Sequence, residues 1–113
     1  MAVNKKINMN VSECASIIRH IAENCYGVVG LATPNGVTLR SQLFPNFFNK
    51  KSVEILASPN GYKINVYIIA GYGNSLKAIC KNLCNSIKYI LKQDYGIDTE
   101  VINIHIKGIQ KSR

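Results

Sequence analysis

Tyr62-Lys63-Ile64-Asn65-Val66-Tyr67-Ile68-Ile69-Ala70-Gly71-Tyr72 is the stretch on which the fold turns. Its even positions (Tyr62, Ile64, Val66, Ile68, Ala70, Tyr72) are apolar or aromatic. Its odd positions (Lys63, Asn65, Tyr67, Ile69, Gly71) are mixed. A period of two marks a strand whose successive side chains point to opposite sides of a sheet. One face is then core and the other partly wet, as in a sheet covered on one side only. This is the longest strand the sequence predicts.

Just upstream, Ser58-Pro59-Asn60-Gly61 reads as a hairpin loop, with proline presetting φ and Asn-Gly tolerating positive φ. The strand before it, 52–57, puts Val53, Ile55 and Ala57 on one face. Downstream, Asn74-Ser75 caps a helix whose apolar positions are Leu76, Ile79, Cys80, Leu83, Cys84, Ile87, Ile90 and Leu91. Gly96 closes it. A last strand over about 98–108 places Ile102, Ile104 and Ile106 inward, and Val101, Asn103, His105 and Lys107 outward.

Toward the N-terminus, Val28-Val29-Gly30-Leu31-Ala32 reads as a short strand. Before it lies a helix capped by Asn10 or Ser12. With Asn10 as cap, Glu13 completes a capping box. Its stripe is Cys14, Ile17, Ile18, Ile21, Ala22 and Cys25, and Gly27 is the expected stop. Residues 6–10 alternate as a short edge strand, and 33–51 is the least regular segment. The expected architecture is α+β: a two-layer sandwich, order β-α-β-β-β-α-β, with two amphipathic helices packed on one face of a mixed sheet of about five strands. One domain covers 1–113, its core about 6–109.

The chain has 113 residues, of which 47% are apolar, enough for one core without disulfide or metal. Its longest apolar run, Val66 to Ala70, falls far short of the ~20 residues that span a bilayer. Residues 1–10 alternate polar with apolar, unlike a signal peptide. The expectation is a cytoplasmic protein with no transmembrane segment, whose membrane contact is peripheral at the inner face or made through a partner. Its cysteines are then reduced thiols. Net charge is +8. That suits a polyanion or an acidic protein, but the abundance of Ile, Asn and Lys explains much of it as compositional drift.

Catalytic chemistry finds little support. Cys80 and Cys84 stand four apart on a helix, yet they share the apolar stripe with Leu83, Ile87 and Leu91. Cys14 and Cys25 do likewise on the first helix, and free cysteine packs as a small hydrophobe. No CxxC or HxxxH accompanies them, so neither metal nor cofactor is expected. His20 falls on the polar side of its helix. His105 is on the outward face of its strand, near Tyr67 or Asn65. No carboxylate pair suits general acid–base work. Gly27-Val28-Val29-Gly30 matches the GxxG clamp of KH domains, but a helix stop followed by a strand explains it better.

Three features suit binding instead. Phe44, Phe47 and Phe48 stand beside Lys50-Lys51; they form either a docking surface or a plug at the core edge. Lys77, Lys81, Lys88 and Lys92 make a basic ridge on the second helix. Lys63, Tyr67, Ile69 and His105 mark the outward sheet face, where Ile69 and Leu56 are too apolar for open solvent and hint at an oligomer.

Three segments together resemble the alkaline shock protein / envelope stress response family of Gram-positive bacteria. They are Ile7 to Glu13 leading into Ile17-Ile18 and Ile21-Ala22; Cys25-Tyr26-Gly27-Val28-Val29-Gly30-Leu31-Ala32; and Tyr67 to Gly73 with Val101 to Ile109. The stretch from Cys25 to Ala32 is most similar to the small YloU-type branch. The resemblance covers about 6–109. It implies a small non-enzymatic protein, in some members self-associating and held at the membrane by a separate anchor, linked to envelope homeostasis or lipid metabolism. The charge of +8 departs from the many acidic relatives. The expected role is a protein-interaction or scaffold protein with protein partners, one of them membrane-anchored, and with homo-oligomer formation. The alternative is a basic nucleic-acid-binding module.

Overall fold

The computed structural model describes residues 10–34 and 52–111. Helix α1 spans Val11–Glu23, and Asn10, not Ser12, is its cap: Asn10 Oδ1 accepts the Glu13 N–H at 2.8 Å. The helix ends at Asn24, short of the expected Gly27. The Asn24 N–H reaches the carbonyls of His20 and Ile21, and its side-chain amide binds the His20 carbonyl at 2.8 Å, so the last turn is closed without glycine. Gly27 serves the turn that follows. Its φ is +90°, and a Cβ there would lie 2.6 Å from Cγ1 of Ile79.

Strand β1 is Val28–Leu31, β2 is Val53–Ser58 and β3 is Gly61–Gly71. The hairpin between β2 and β3 is as expected: Ser58 pairs with Gly61, whose φ is +124°. Helix α2 runs Leu76–Tyr95, capped by Ser75 Oγ, which accepts the Ala78 N–H. It ends at Gly96 with φ +68°, where Gly96 and Ile97 donate back to Lys92 and Leu91. Strand β4, Thr99–Gln110, has 12 residues against 11 in β3, so the longest strand is the last one.

The sheet is built around β3. Strand β4 lies parallel to it over its length, from Tyr62 opposite Thr99 to Gly71 opposite Gln110. β1 and β2, both antiparallel, must therefore share the other edge of β3: β2 against 61–66 and β1 against 68–70. Four strands are present among the described residues, not about five; the short strand expected at 6–10 lies almost entirely outside them.

Both helices pack on the face carrying the even residues of β3. Ile18 of α1, Leu83, Ile87 and Leu91 of α2, and Ile64, Val66 and Ile68 of β3 are all fully buried in one cluster. Ile102, Ile104 and Ile106 of β4 pack against it, half-buried. The result is the α+β two-layer sandwich with a mixed sheet. Among the described residues no helix is long and apolar enough to cross a membrane.

Candidate functional site

The helix-free face of the sheet carries the odd residues of β3. The strand register puts Tyr67 opposite His105, and their rings stack at 4.6 Å with 16° between planes. The Tyr67 hydroxyl donates to Glu54 at 2.9 Å, reaching across to β2. Asn65 Oδ1 accepts from Asn103 Nδ2 at 3.2 Å and faces His105 Nε2 at 3.0 Å, a contact that needs the proton on that nitrogen. A polar row from Glu54 to Asn103 thus ties three strands together. Burial pushes the Tyr67 hydroxyl above its ordinary pKa, and the carboxylate of Glu54, as hydrogen-bond partner and as charge, pushes it the same way. The phenol stays protonated around neutral pH and holds the ring stack in place.

Two residues expected on the outward sheet face are buried there. Tyr67 is 9% exposed and Ile69 4%, and with Ala32 they form a second small apolar cluster. Ile69 is paired with Gly30 on one side and Gly108 on the other, and a Cβ on either glycine would meet the Ile69 side chain within 4 Å. The isoleucine lies where two side chains are missing. Lys63 and Leu56 are exposed, Leu56 at 68%, and His105 is half-buried.

At the other limit of the sheet, β4 pairs with β3 alone among the described residues. A groove of about 410 Å³ runs at this edge. It is lined by Ile102 and Ile104, which point to the helices, and by Asn103 and His105, which point away. Side chains from both faces of one strand line a single hollow only where it wraps around the strand's edge. Its far wall is α2, through Cys80, Lys81 and Cys84. A second hollow, about 230 Å³, lies where Lys88 and Lys92 meet Ile97, Asp98 and Thr99.

The thiols divide accordingly. Cys14 is fully buried, and burial pushes its pKa up to about 11. Cys25, Cys80 and Cys84 are half-buried, so the expectation that all four are consumed in the core holds in full for one. Burial raises Cys25 and Cys80, the latter also through Cys84. Raised thiols are poor nucleophiles at neutral pH. Among the described residues no three of His, Cys, Asp and Glu gather as a metal site.

Of the other expected residues, Lys77, Lys81, Lys88 and Lys92 are all exposed. Lys92 is tied to Asp98 at 2.6 Å. Phe44, Phe47 and Phe48 lie outside the described residues. Gly27 to Gly30 leads from a turn straight into β1 instead of joining two helices, so it is not a KH clamp. Sequence reasoning missed Glu54 and the edge of β4 that is unpaired among the described residues. The first needed the β2–β3 register. The second needed the strand order, about which periodicity says nothing.

A small α+β sandwich with a polar, aromatic helix-free face and strand edges unpaired among the described residues is a scaffold of the kind that offers surfaces. The chain belongs to the alkaline shock protein 23 family, described as having a cell envelope-related function, whose model matches residues 2–111. It is similar to the uncharacterized protein YloU of Bacillus subtilis (strain 168), at 27% identity over 111 residues, covering 93% of this chain and 88% of that one. It is also similar to the uncharacterized protein Spy1614 of Streptococcus pyogenes serotype M6, at 23% over 105 residues, covering 92% and 87%. No solved structure matches the chain.

Proposed function

We propose that the chain is a non-enzymatic interaction protein serving the cell envelope from the cytoplasmic face of the membrane, through protein partners of which one is membrane-anchored. The observation that carries this reading is the polar row on the helix-free face together with the β4 edge. The helices use one face, while the other face and the β4 edge keep ordered polar groups with no helix over them among the described residues. Membership of an envelope-related family supports the setting. The arrangement of the described residues supports binding over catalysis, because the ring stack and its partners are spent on one another.

The test uses the full chain as bait in its native cells, with crosslinking before lysis. Saturable recovery of defined envelope proteins is the expected result. Recovery of no protein above a scrambled-surface control contradicts the reading. Leu56 supports self-association through the open face. Light scattering over a concentration series reads that out, and a strict monomer throughout sinks it.

A nucleic-acid-binding module is the alternative, favoured by Lys77, Lys81 and Lys88, which stand in line without a salt bridge among the described residues. RNA or DNA binding that survives physiological salt supports it. Binding lost by that point returns the lysines to a protein partner.

A further inference from the structure

The backbone of β4 has a definite phase. Tyr62 N–H donates to Asp98 O and Tyr72 N–H to Gln110 O, while Gly71 N–H donates to Gly27 O and Tyr67 O accepts from Ala32. Even residues of β3 therefore turn their amides and carbonyls toward β4, and odd ones toward β1 and β2. In a parallel ladder, a residue bonds to the two neighbours of the residue opposite it. Ile64, Val66 and Ile68 stand opposite Ile102, Ile104 and Ile106. They engage the odd residues between and beside those three. The amides and carbonyls of Ile102, Ile104 and Ile106 are left pointing outward, along the groove that wraps this edge.

Such an edge is a template for one more strand. Its setting selects what kind. Lys81 lines the groove and Lys88 the hollow beyond it, on the α2 turns that flank β4. Neither forms a salt bridge among the described residues, whereas Lys92 has Asp98. Lys81 and Lys88 are seven residues apart, or about 10 Å along a helix. That is close to the ~13 Å between residues i and i+4 of a strand, whose side chains share a face. A further copy of this chain, also at +8, brings the same lysines to the same edge and is repelled.

We propose that the free edge of β4 takes up an extended, acidic segment of a partner protein as an added antiparallel or parallel strand, with its carboxylates on Lys81 and Lys88. The groove floor of Cys80, Cys84, Ile102 and Ile104 receives the apolar or small side chains between them. This rests on the reading of the chain as a protein-interaction module and specifies where and with what chemistry it binds.

The test is a titration of the isotope-labelled full chain with acetyl-(Glu-Val)4-amide, followed by residue-resolved shifts and amide exchange. The expected result is slowed exchange at Ile102, Ile104 and Ile106, with Asn103 and His105 little changed. Affinity should fall at least tenfold in the double variant Lys81→Glu/Lys88→Glu, whose exposed positions leave the fold intact. The basic peptide acetyl-(Lys-Val)4-amide should not bind. Four outcomes overturn the proposal: no binding at millimolar peptide; shifts centred elsewhere; equal binding of both peptides; or protection of those three amides that grows with protein concentration alone, which assigns the edge to another copy of the chain. If the peptide fails while the full chain still captures envelope proteins, only this inference falls. If capture fails too, the interaction reading falls with it.

Discussion

The two faces of the sheet are made from alternate residues of the same strands, yet they do different work. On the covered face Ile64, Val66 and Ile68 meet Ile18, Leu83, Ile87 and Leu91, all without exposure and without a polar atom among their side chains. On the open face Tyr67, His105, Asn65 and Glu54 hold one another by hydrogen bonds and ring stacking, beside exposed Leu56, Lys63 and Val101. Apolar burial has no direction and scales with area, so it supplies stability. Hydrogen bonds made in place of water are worth far less net, but they fix orientation. The comparison teaches that apolar burial secures the fold mainly from one side, while the other side, apart from the small cluster of Ala32, Tyr67 and Ile69, is held by directed contacts.

The largest expected effect lies on the covered face. Leu83→Ala should lower unfolding free energy by about 2–5 kcal/mol in a urea titration, because the site is enclosed by both layers and collapses little. A loss under about 1 kcal/mol would break the comparison at its stronger side.

Next is alkaline pH. Burial raises Cys14 from 9.0 to about 11, so the native state favours the neutral thiol. The stability it contributes is complete below pH 9 and is lost as pH climbs toward 11, because the unfolded chain gives up its proton first. Across that window the loss should approach about 2–3 kcal/mol. Cys14→Ala should flatten the slope of stability against pH there, whatever it does to stability at neutrality.

On the open face the effects are smaller. Tyr67→Phe removes the bond to Glu54 and keeps the ring over His105. The expected cost is about 0.5–1.5 kcal/mol, and the His105 ring resonances should stay near their native positions. Smallest is Lys92→Ala. Its ion pair with Asp98 is well exposed on both sides, and thermal unfolding should shift by less than about 1 kcal/mol equivalent.

What was legible in the sequence follows the same division. The even-odd alternation of 62–72 and the stripes on both helices gave the covered face almost residue by residue, since burial imposes a period that a single chain records. Ser75 and Gly96 were readable as caps because capping chemistry is local. Asn24 escaped notice because its own side chain closes the helix before the glycine that drew attention. The setting of Ile69 between Gly30 and Gly108 was hidden for a different reason: two separate pairings bring those glycines alongside. The Tyr67–His105 stack was anticipated as a proximity. Its anchor at Glu54 was not, because the hairpin register decides it. The β4 edge, unpaired among the described residues, follows from strand order, which no periodicity encodes.

The division itself is most directly tested on one row of the open face. Leu56, Lys63 and Val101 are neighbours across β2, β3 and β4, and all three are exposed. Replacing them together (Leu56→Thr, Lys63→Thr, Val101→Thr) keeps strand-forming residues and alters only that surface. Urea unfolding of the triple variant should leave stability within about 1 kcal/mol of the parent. A loss as large as that of Leu83→Ala would contradict the account, placing the source of stability on both sides of the sheet.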